Sequence, residues 1–259
     1  MKILSIGNSF SVDAQAYLHL LAKAEGELLE CTNLFIGGCS LQTHWENMKG
    51  DLANYELHKN GEPVYLDVEK TQIRMISIRE ALEMENWDVV TMQQCSHLSG
   101  LYETYQPYLN ELSAYVTQHA PFARQWIHQT WAYEMDSDHP GFSNYGCDQQ
   151  TMYSALKKAY KQAAEDIVAP IIPAGDVIQA LRKLPAFDYE KGGVSLCRDG
   201  FHISIPLGRY VLAAVWYTAL TGKAAIYDDF VPEGCGEEDL PILQLIRDTA
   251  SELVLGIYD

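Results

Sequence analysis

The segment KILSIGNSFS, residues 2–11, joins a short apolar run to a turn that carries a glycine, an asparagine and a serine. The run at residues 2–6 predicts a β-strand that ends at Gly7. At residues 13–24 the apolar side chains recur at helical spacing, so a helix is expected soon after the turn. The chain therefore begins as strand, tight turn and helix.

Four more apolar runs alternate with helical periodicity along the rest of the chain. The additional strands are predicted at residues 32–36, 88–92, 125–128 and 169–173, and the additional helices at 73–85, 105–119, 148–167 and 206–220. This alternation implies right-handed crossovers and a parallel sheet covered on both faces. The expected fold is a three-layer α/β/α sandwich with about five parallel strands.

Two segments depart from this alternation. Asn60-Gly61 lies between alternating runs, which is the usual signal of a β-hairpin, so a hairpin insertion beside the sheet is expected near residues 53–70. Residues 132–147 are rich in Asp, Pro, Gly and Tyr and predict a long loop, of a kind that often helps to build a site. With 47% hydrophobic residues, residues 1–259 are expected to form a single domain.

The charge balance is strongly acidic. Eighteen Lys plus Arg stand against 35 Asp plus Glu, which gives a formal net charge of −17 at pH 7. Such a field repels nucleic-acid phosphates and anionic lipids, so neither nucleic acid nor a membrane is an expected partner. No apolar run approaches the roughly 20 residues that span a bilayer, and the first residues lack a signal-peptide pattern, so a cytoplasmic location is expected.

The six cysteines are widely spaced, with no C-x-x-C pair and no Cys/His cluster at zinc-ligand spacing. We expect reduced, structural thiols, including Cys39 and Cys95, which have no basic neighbour to make them reactive. No convergent carboxylates accompany His128 and His139, so no metal is expected.

Polar clusters follow three of the predicted strands. They are Gly7-Asn8-Ser9-Phe10-Ser11, Gly37-Gly38-Cys39-Ser40 and Gln93-Gln94-Cys95-Ser96-His97. In open α/β sheets, ligands bind beyond the carboxyl ends of the strands. A serine at such an end, just before a helix, has its backbone N–H near the positive end of the helix dipole, where a developing oxyanion is stabilised. Ser9 is thus a candidate nucleophile, although Asn8, Ser9 or Ser11 could instead merely cap the helix.

A serine hydroxyl needs a base to remove its proton, and the base needs a group that fixes its tautomer. Asp199-Gly200-Phe201-His202 offers such a pair on a short turn that follows a Gly-rich loop and precedes the helix at 206–220. A lone His near a helix start is usually structural. A His coupled to an Asp, with a candidate serine elsewhere, indicates a base and its partner.

These blocks resemble the SGNH (GDSL-like) hydrolases, whose first block is usually Gly-Asp-Ser and whose last is Asp-x-x-His. The resemblance implies a flavodoxin-like α/β/α fold and hydrolysis of acyl esters without a metal or other cofactor. It implies Ser9 as nucleophile, His202 as base and Asp199 as the group that orients the base. It also implies an oxyanion hole that includes the backbone N–H groups of Ser9 and of Gly38, with Gly37 as the alternative glycine.

The third block departs from the pattern of that family, which has Gly-x-Asn with the Asn side chain as a further oxyanion donor. Here Gln94 offers the same kind of amide N–H, whereas His97 lies where a strict alignment would put the Asn. On chemistry Gln94 is the predicted donor and His97 the alternative. Asn8, Gln93 and His97 are also predicted to contact the substrate.

The resemblance implies an esterase that removes small acyl groups, such as acetyl, from a carbohydrate or similar polar substrate. Aromatic side chains near the loops, including those of Trp45, Trp126, Trp131 and Tyr133, could offer flat surfaces to sugar rings or simply belong to the core. The alternative is a non-catalytic glycan-binding module on a hydrolase-like fold. A nucleotide binder that uses Gly37-Gly38 is a third hypothesis, but neither a G-x-G-x-x-G nor a Walker pattern is present.

Overall fold

The structure, a computed structural model, describes residues 1–227 and 229–256. These residues include eight strands and nine α-helices. The strands are β1 (Lys2–Gly7), β2 (Glu30–Phe35), β3 (Tyr55–Lys59), β4 (Glu62–Pro63), β5 (Met75–Ile76), β6 (Val89–Met92), β7 (Arg124–His128) and β8 (Ile171–Ile172). The helices are α1 (Ser9–Gln15), α2 (Leu18–Ala24), α3 (Leu41–Gly50), α4 (Ile78–Glu83), α5 (Tyr108–His119), α6 (Gln149–Asp166), α7 (Ala174–Leu181), α8 (Leu207–Thr221) and α9 (Leu240–Leu255).

Five of the strands pair in parallel, in the order β2-β1-β6-β7-β8. This is the strand order of flavodoxin-like sheets, and it confirms the predicted α/β/α fold. The connection from β1 to β2 runs towards one edge of the sheet, and the later connections run towards the other edge. Because the connections are right-handed, α1 and α2 lie on one face and α3 to α6 on the opposite face. The change of direction opens a crevice beyond the carboxyl ends of β1 and β6.

The predicted hairpin is present, but it extends the sheet instead of lying beside it. β3 pairs antiparallel with β2, and β3 and β4 form the hairpin around Asn60 and Gly61, whose φ angles are 49° and 83°. Tight hairpin turns demand positive φ, which Asn-Gly supplies at little cost. The hairpin joins the sheet because the outer edge of β2 offers backbone N–H and C=O groups that need partners.

Several helix boundaries differ from the predicted ones for local reasons. The helix expected at residues 13–24 begins earlier, at Ser9, because Asn8 caps it, and it is divided into α1 and α2. Residues 73–85 contain β5 before α4, since the Ser77 hydroxyl accepts the Glu80 N–H at 3.2 Å and so fixes the start of the helix. Three helices, α3, α7 and α9, have no counterpart among the predicted ones.

Helix α8 is buried on almost every side because α1, α2, α7 and α9 pack around it. A helix that is apolar all round needs such cover. The Asp199 to His202 turn leads directly into α8, so the burial of this helix anchors the turn to the body of the molecule. In the described part of the chain, no helix combines the length and apolar character needed to cross a bilayer.

Candidate active site

Ser9 lies at the carboxyl end of β1 and is the first residue of α1. Its neighbours cap the helix: Asn8 Oδ1 accepts the Phe10 N–H at 3.0 Å, and the Ser11 hydroxyl accepts the Asn8 N–H at 3.0 Å. Capping is therefore the role of Asn8 and Ser11, and the Ser9 hydroxyl is left for another partner.

That partner is the imidazole of His202. His202 Nε2 lies 2.9 Å from Ser9 Oγ, and His202 Nδ1 lies 2.7 Å from Asp199 Oδ2. The other carboxylate oxygen, Asp199 Oδ1, accepts the backbone N–H groups of His202 at 2.7 Å and Phe201 at 3.2 Å. The structure thus brings the three predicted residues together in one line of hydrogen bonds, with the ring orientation fixed from both ends.

The turn that carries Asp199 and His202 is tight. Gly200 has a φ of 81°, and a Cβ atom there would lie 2.9 Å from the Ser137 Cα atom, so only glycine fits without strain. Behind the turn, the Glu134 N–H donates to the Gly200 carbonyl at 2.7 Å. The Trp131 indole N–H donates to the Phe201 carbonyl at 2.8 Å. The loop after β7 therefore supports the turn.

Opposing effects act on the Asp199 carboxyl. Burial raises its pKa, but hydrogen bonds from the His202 side chain and from the backbone of His202 and Phe201 outweigh burial and leave the pKa below its ordinary value. Asp199 therefore stays ionised over the neutral range and accepts hydrogen bonds from His202 as a carboxylate.

A chain of buried amides supports the Ser9 turn from below. The His128 ring, with its Nδ1 atom 2.6 Å from Gln93 Oε1, donates to Gln93, and Gln93 Nε2 donates to Asn8 Oδ1 at 2.9 Å. Asn8 Nδ2 donates in turn to the Cys39 carbonyl at 3.1 Å. Burial lowers the pKa of His128 to about 3, so this chain is uncharged at neutral pH. It links the ends of β7, β6 and β1 to the loop after β2.

The prediction that Asn8 and Gln93 contact substrate is therefore not supported. Both side chains are buried, and the amide groups of both are hydrogen-bonded to other parts of the protein. Their position under Ser9 assigns them to holding the turn.

Gln94 is also committed to protein partners. Its Nε2 donates to the carbonyl of Thr104 at 3.1 Å and to the hydroxyl of the same residue at 3.0 Å, and its Oε1 accepts the N–H groups of Leu41 at 3.0 Å and Cys95 at 2.9 Å. Both amide hydrogens are taken, and the side chain is fully buried. The prediction of Gln94 as an oxyanion donor is not supported, because its amide N–H groups already donate to Thr104.

Gly38 lies in the exposed turn after β2, with a φ of 62° and open space where a Cβ atom would be. Within the described residues, neither the Gly38 N–H nor the Ser9 N–H has a protein acceptor. The Asn8 bond to the Cys39 carbonyl ties this turn to the Ser9 turn. Two backbone donors are thus left unused beside the first strand end. Gly37 is exposed in the same turn.

An aromatic row runs outward from the imidazole of His202. The rings of Phe201 and His202 lie 4.2 Å apart, those of His139 and Phe201 4.7 Å, and those of His97 and His139 6.0 Å. Burial lowers the pKa of His97 and of His139, and a neighbouring imidazole lowers each pKa further. The structure therefore connects His97 to His202 only through the rings of His139 and Phe201, two residues that sequence reasoning did not select for the site.

The four aromatic side chains suggested as a surface for sugar rings do not present an open ring face along this row. Trp131 and Tyr133 are fully buried, and Trp131 stacks on Phe10 at 4.2 Å. Trp45 donates its indole N–H to Glu111 at 2.7 Å, on α5. Trp126 lies within β7, half-buried. The expectation that these four rings form a sugar platform is therefore not supported.

Neither of the two cysteines near the site is activated. Burial raises the pKa of Cys39 and of Cys95 to about 12, so both thiols stay protonated. Across residues 1–227 and 229–256, no three His, Cys, Asp or Glu side chains converge in a way that could hold a metal ion.

We expect the Gln94 amide to act on stability through Thr104. Gln94→Ala and Thr104→Val should each lower the free energy of unfolding by about 1–3 kcal/mol, because each leaves buried polar groups without partners. The double variant should cost less than the sum, since the two side chains share a hydrogen bond. Urea unfolding of the four proteins measures this coupling, and strict additivity would contradict it.

Residues 2–250 of the chain match the family described as "Domain of unknown function (DUF4886)". No curated protein matches the chain. Solved structures of low sequence identity share the fold. One is a proposed SGNH hydrolase from Slackia heliotrinireducens, with 24% identity, a TM-score of 0.57 and coverage of 85% of this chain and 98% of that one. Another is the acetylxylan esterase Axe2 from Geobacillus stearothermophilus, with 14% identity, a TM-score of 0.52 and coverage of 88% and 96%. At these identities the likeness shows the fold alone.

A DUF4886 family protein from Bacteroides uniformis is much more similar. It is 36% identical and superposes with a TM-score of 0.86, covering 98% of this chain and 95% of that one. Since both this likeness and the family match extend over nearly the whole sequence, the chain belongs to the DUF4886 family.

Proposed function

We propose that the protein is a serine esterase that acts through an acyl-enzyme on Ser9. The observation that carries this proposal is the pair of contacts made by one imidazole: 2.9 Å from His202 Nε2 to Ser9 Oγ and 2.7 Å from His202 Nδ1 to Asp199 Oδ2. A carboxylate, an imidazole and a serine hydroxyl in this order can remove a proton from the hydroxyl at neutral pH.

In the first step Ser9 Oγ attacks the ester carbonyl while His202 Nε2 takes the hydroxyl proton. Asp199 stabilises the imidazolium that results, and the free N–H groups of Ser9 and Gly38 stabilise the tetrahedral oxyanion. The imidazolium then gives its proton to the departing alkoxide, which leaves as an alcohol. A water molecule, deprotonated by His202, attacks the acyl-enzyme, and the carboxylic acid and the free Ser9 hydroxyl are restored.

The proposed substrates are small acyl esters, such as acetyl, on a polar alcohol such as a carbohydrate. The site is open: the side chain of Asp199 is 41% exposed and that of His202 21%. An open site admits an ester that is attached to a large polar group, whereas a long acyl chain would need an apolar tunnel. The shared fold with an acetylxylan esterase is in keeping with this substrate class.

His97 is the proposed third oxyanion donor. It occupies the place of the Asn in the third block of SGNH hydrolases, it is half-buried, and the aromatic row connects it to His202. Because burial and the neighbouring His139 lower its pKa, its ring is neutral at neutral pH and keeps one N–H to donate.

A non-catalytic glycan-binding module is the competing proposal. The observation in its favour is that the Gln94 amide is committed to Thr104, which removes the most Asn-like donor of the third block. The two proposals differ in whether Ser9 becomes acylated.

Ser9→Ala should abolish turnover of 4-nitrophenyl acetate and labelling by a fluorophosphonate probe, because both reactions need the hydroxyl. Ser154→Ala, an exposed serine on α6, is the matched control and should keep both activities. Labelling is read by intact-protein mass spectrometry. Labelling that survives in Ser9→Ala would remove Ser9 from the mechanism, and an unreactive parent protein that still binds glycans would favour the binding module.

The proposed mechanism needs a neutral imidazole, because an imidazolium cannot accept the Ser9 proton, so kcat/KM for 4-nitrophenyl acetate should fall when the solution is made acidic. Asp199 has a lowered pKa despite its partial burial, so its own protonation comes only at lower pH and does not cause the first loss of activity. Initial rates measured across pH test this, and activity that persists unchanged in acid would contradict a histidine base.

His97→Ala should lower kcat by about 100-fold with little change in KM, as expected for the loss of one oxyanion donor. His97→Asn should recover part of the loss, because an amide can donate to the same oxyanion. Circular dichroism checks that both variants are folded. Full turnover by His97→Ala would leave the oxyanion to the backbone N–H groups alone.

A further inference from the structure

A buried carboxylate on α1 binds two arginines from distant parts of the chain. Asp13 is 1% exposed. Its Oδ1 accepts the Arg209 Nε–H at 2.8 Å and lies 2.8 Å from Arg209 Nη2, and its Oδ2 accepts from Arg198 Nη1 at 3.0 Å. A carboxylate so deeply buried requires such partners, because an unpaired charge there would be very costly.

The two arginines attach Asp13 to different structures. Arg209 lies on α8, so its bond holds one helix against another. Arg198 directly precedes Asp199, and its backbone N–H donates to the His202 carbonyl at 2.9 Å. The Arg198 guanidinium also donates to the Ile203 carbonyl. The Arg198 bond therefore holds the turn that carries Asp199 and His202.

Asp13 stands one helical turn beyond Ser9 on α1. The nucleophile and its base thus come from two segments that are connected near the site by the Asp13–Arg198 ion pair. Arg–carboxylate contacts fix geometry better than contacts of neutral groups, because they are short and directional. A shift of α1 against the turn would change the distance from Ser9 Oγ to His202 Nε2 directly.

We propose that Asp13 and Arg198 are positioning residues that set the Ser9–His202 distance, whereas Arg209 serves the packing of α1 on α8. This inference rests on the proposed esterase function. It adds a requirement that the proposed mechanism itself does not contain: a specific ion pair outside the reacting groups governs the rate of proton transfer.

The experiment compares Arg198→Gln with Arg209→Gln, since each variant removes one arginine from the same carboxylate. Arg198→Gln should lower kcat for 4-nitrophenyl acetate, and the rate of fluorophosphonate labelling of Ser9, by about 10- to 100-fold with KM nearly unchanged. Arg209→Gln should lower the melting temperature but leave kcat within about twofold of the parent protein. Arg198→Lys should recover part of the lost rate, because an ammonium can still pair with Asp13.

Equal kcat values for Arg198→Gln and Arg209→Gln would overturn the inference, since a purely structural ion cluster predicts that result. If Arg198→Gln does not fold, Arg198→Lys is compared with Arg209→Lys, and a smaller loss of kcat confined to Arg198→Lys is required. A parent protein without Ser9-dependent turnover or labelling would overturn the esterase proposal itself. That outcome is distinct from an active parent protein whose two arginine variants behave alike.

Discussion

The Ser9 hydroxyl and the His202 imidazole are 193 residues apart in sequence and 2.9 Å apart in space. Several hydrogen bonds near the site hold the two segments that carry these side chains. The strand order places the end of β1 at the crevice where the sheet changes direction, and the burial of α8 holds the turn that precedes it. A contact between two short side chains tolerates little error, so both segments need supports of their own.

These supports consist of buried polar groups, and the two supports differ in how those groups are paired. Under Ser9, the chain from His128 through Gln93 to Asn8 is uncharged and ends on a backbone carbonyl. Behind the His202 turn, Glu134 is buried, bonded to Ser195 at 2.7 Å and to Gln149 at 2.8 Å, with the Arg182 guanidinium 3.6 Å away. Most of the polar atoms in both supports have hydrogen-bond partners. Both supports can therefore be rigid without a large free-energy cost of desolvation.

The sequence predicts the parallel sheet and the hairpin well, because apolar periodicity and Asn-Gly turns act locally. It also predicts that Ser9, Asp199 and His202 belong together, because their blocks form a pattern. It does not predict which polar groups remain free. The sequence favours Gln94 over His97 as the third oxyanion donor, and only the fold shows Thr104 within hydrogen-bond distance of the Gln94 amide. The Asp13–Arg198 ion pair, across 185 residues, leaves no periodic signal at all.

Asn8 and Gln93 suit each other because both are neutral amides in a buried position. An aspartate at position 8 could accept from the Phe10 N–H, but it could not donate to the Cys39 carbonyl, as the Asn8 amide does. An ionised aspartate would also place a buried charge next to Gln93, which in turn needs the neutral His128 ring as its donor. With Asn8, the hydrogen bonds from His128 through Gln93 and Asn8 to the Cys39 carbonyl form without any charge. Asn8 and Gln93 therefore hold the Ser9 turn as a pair of neutral amides.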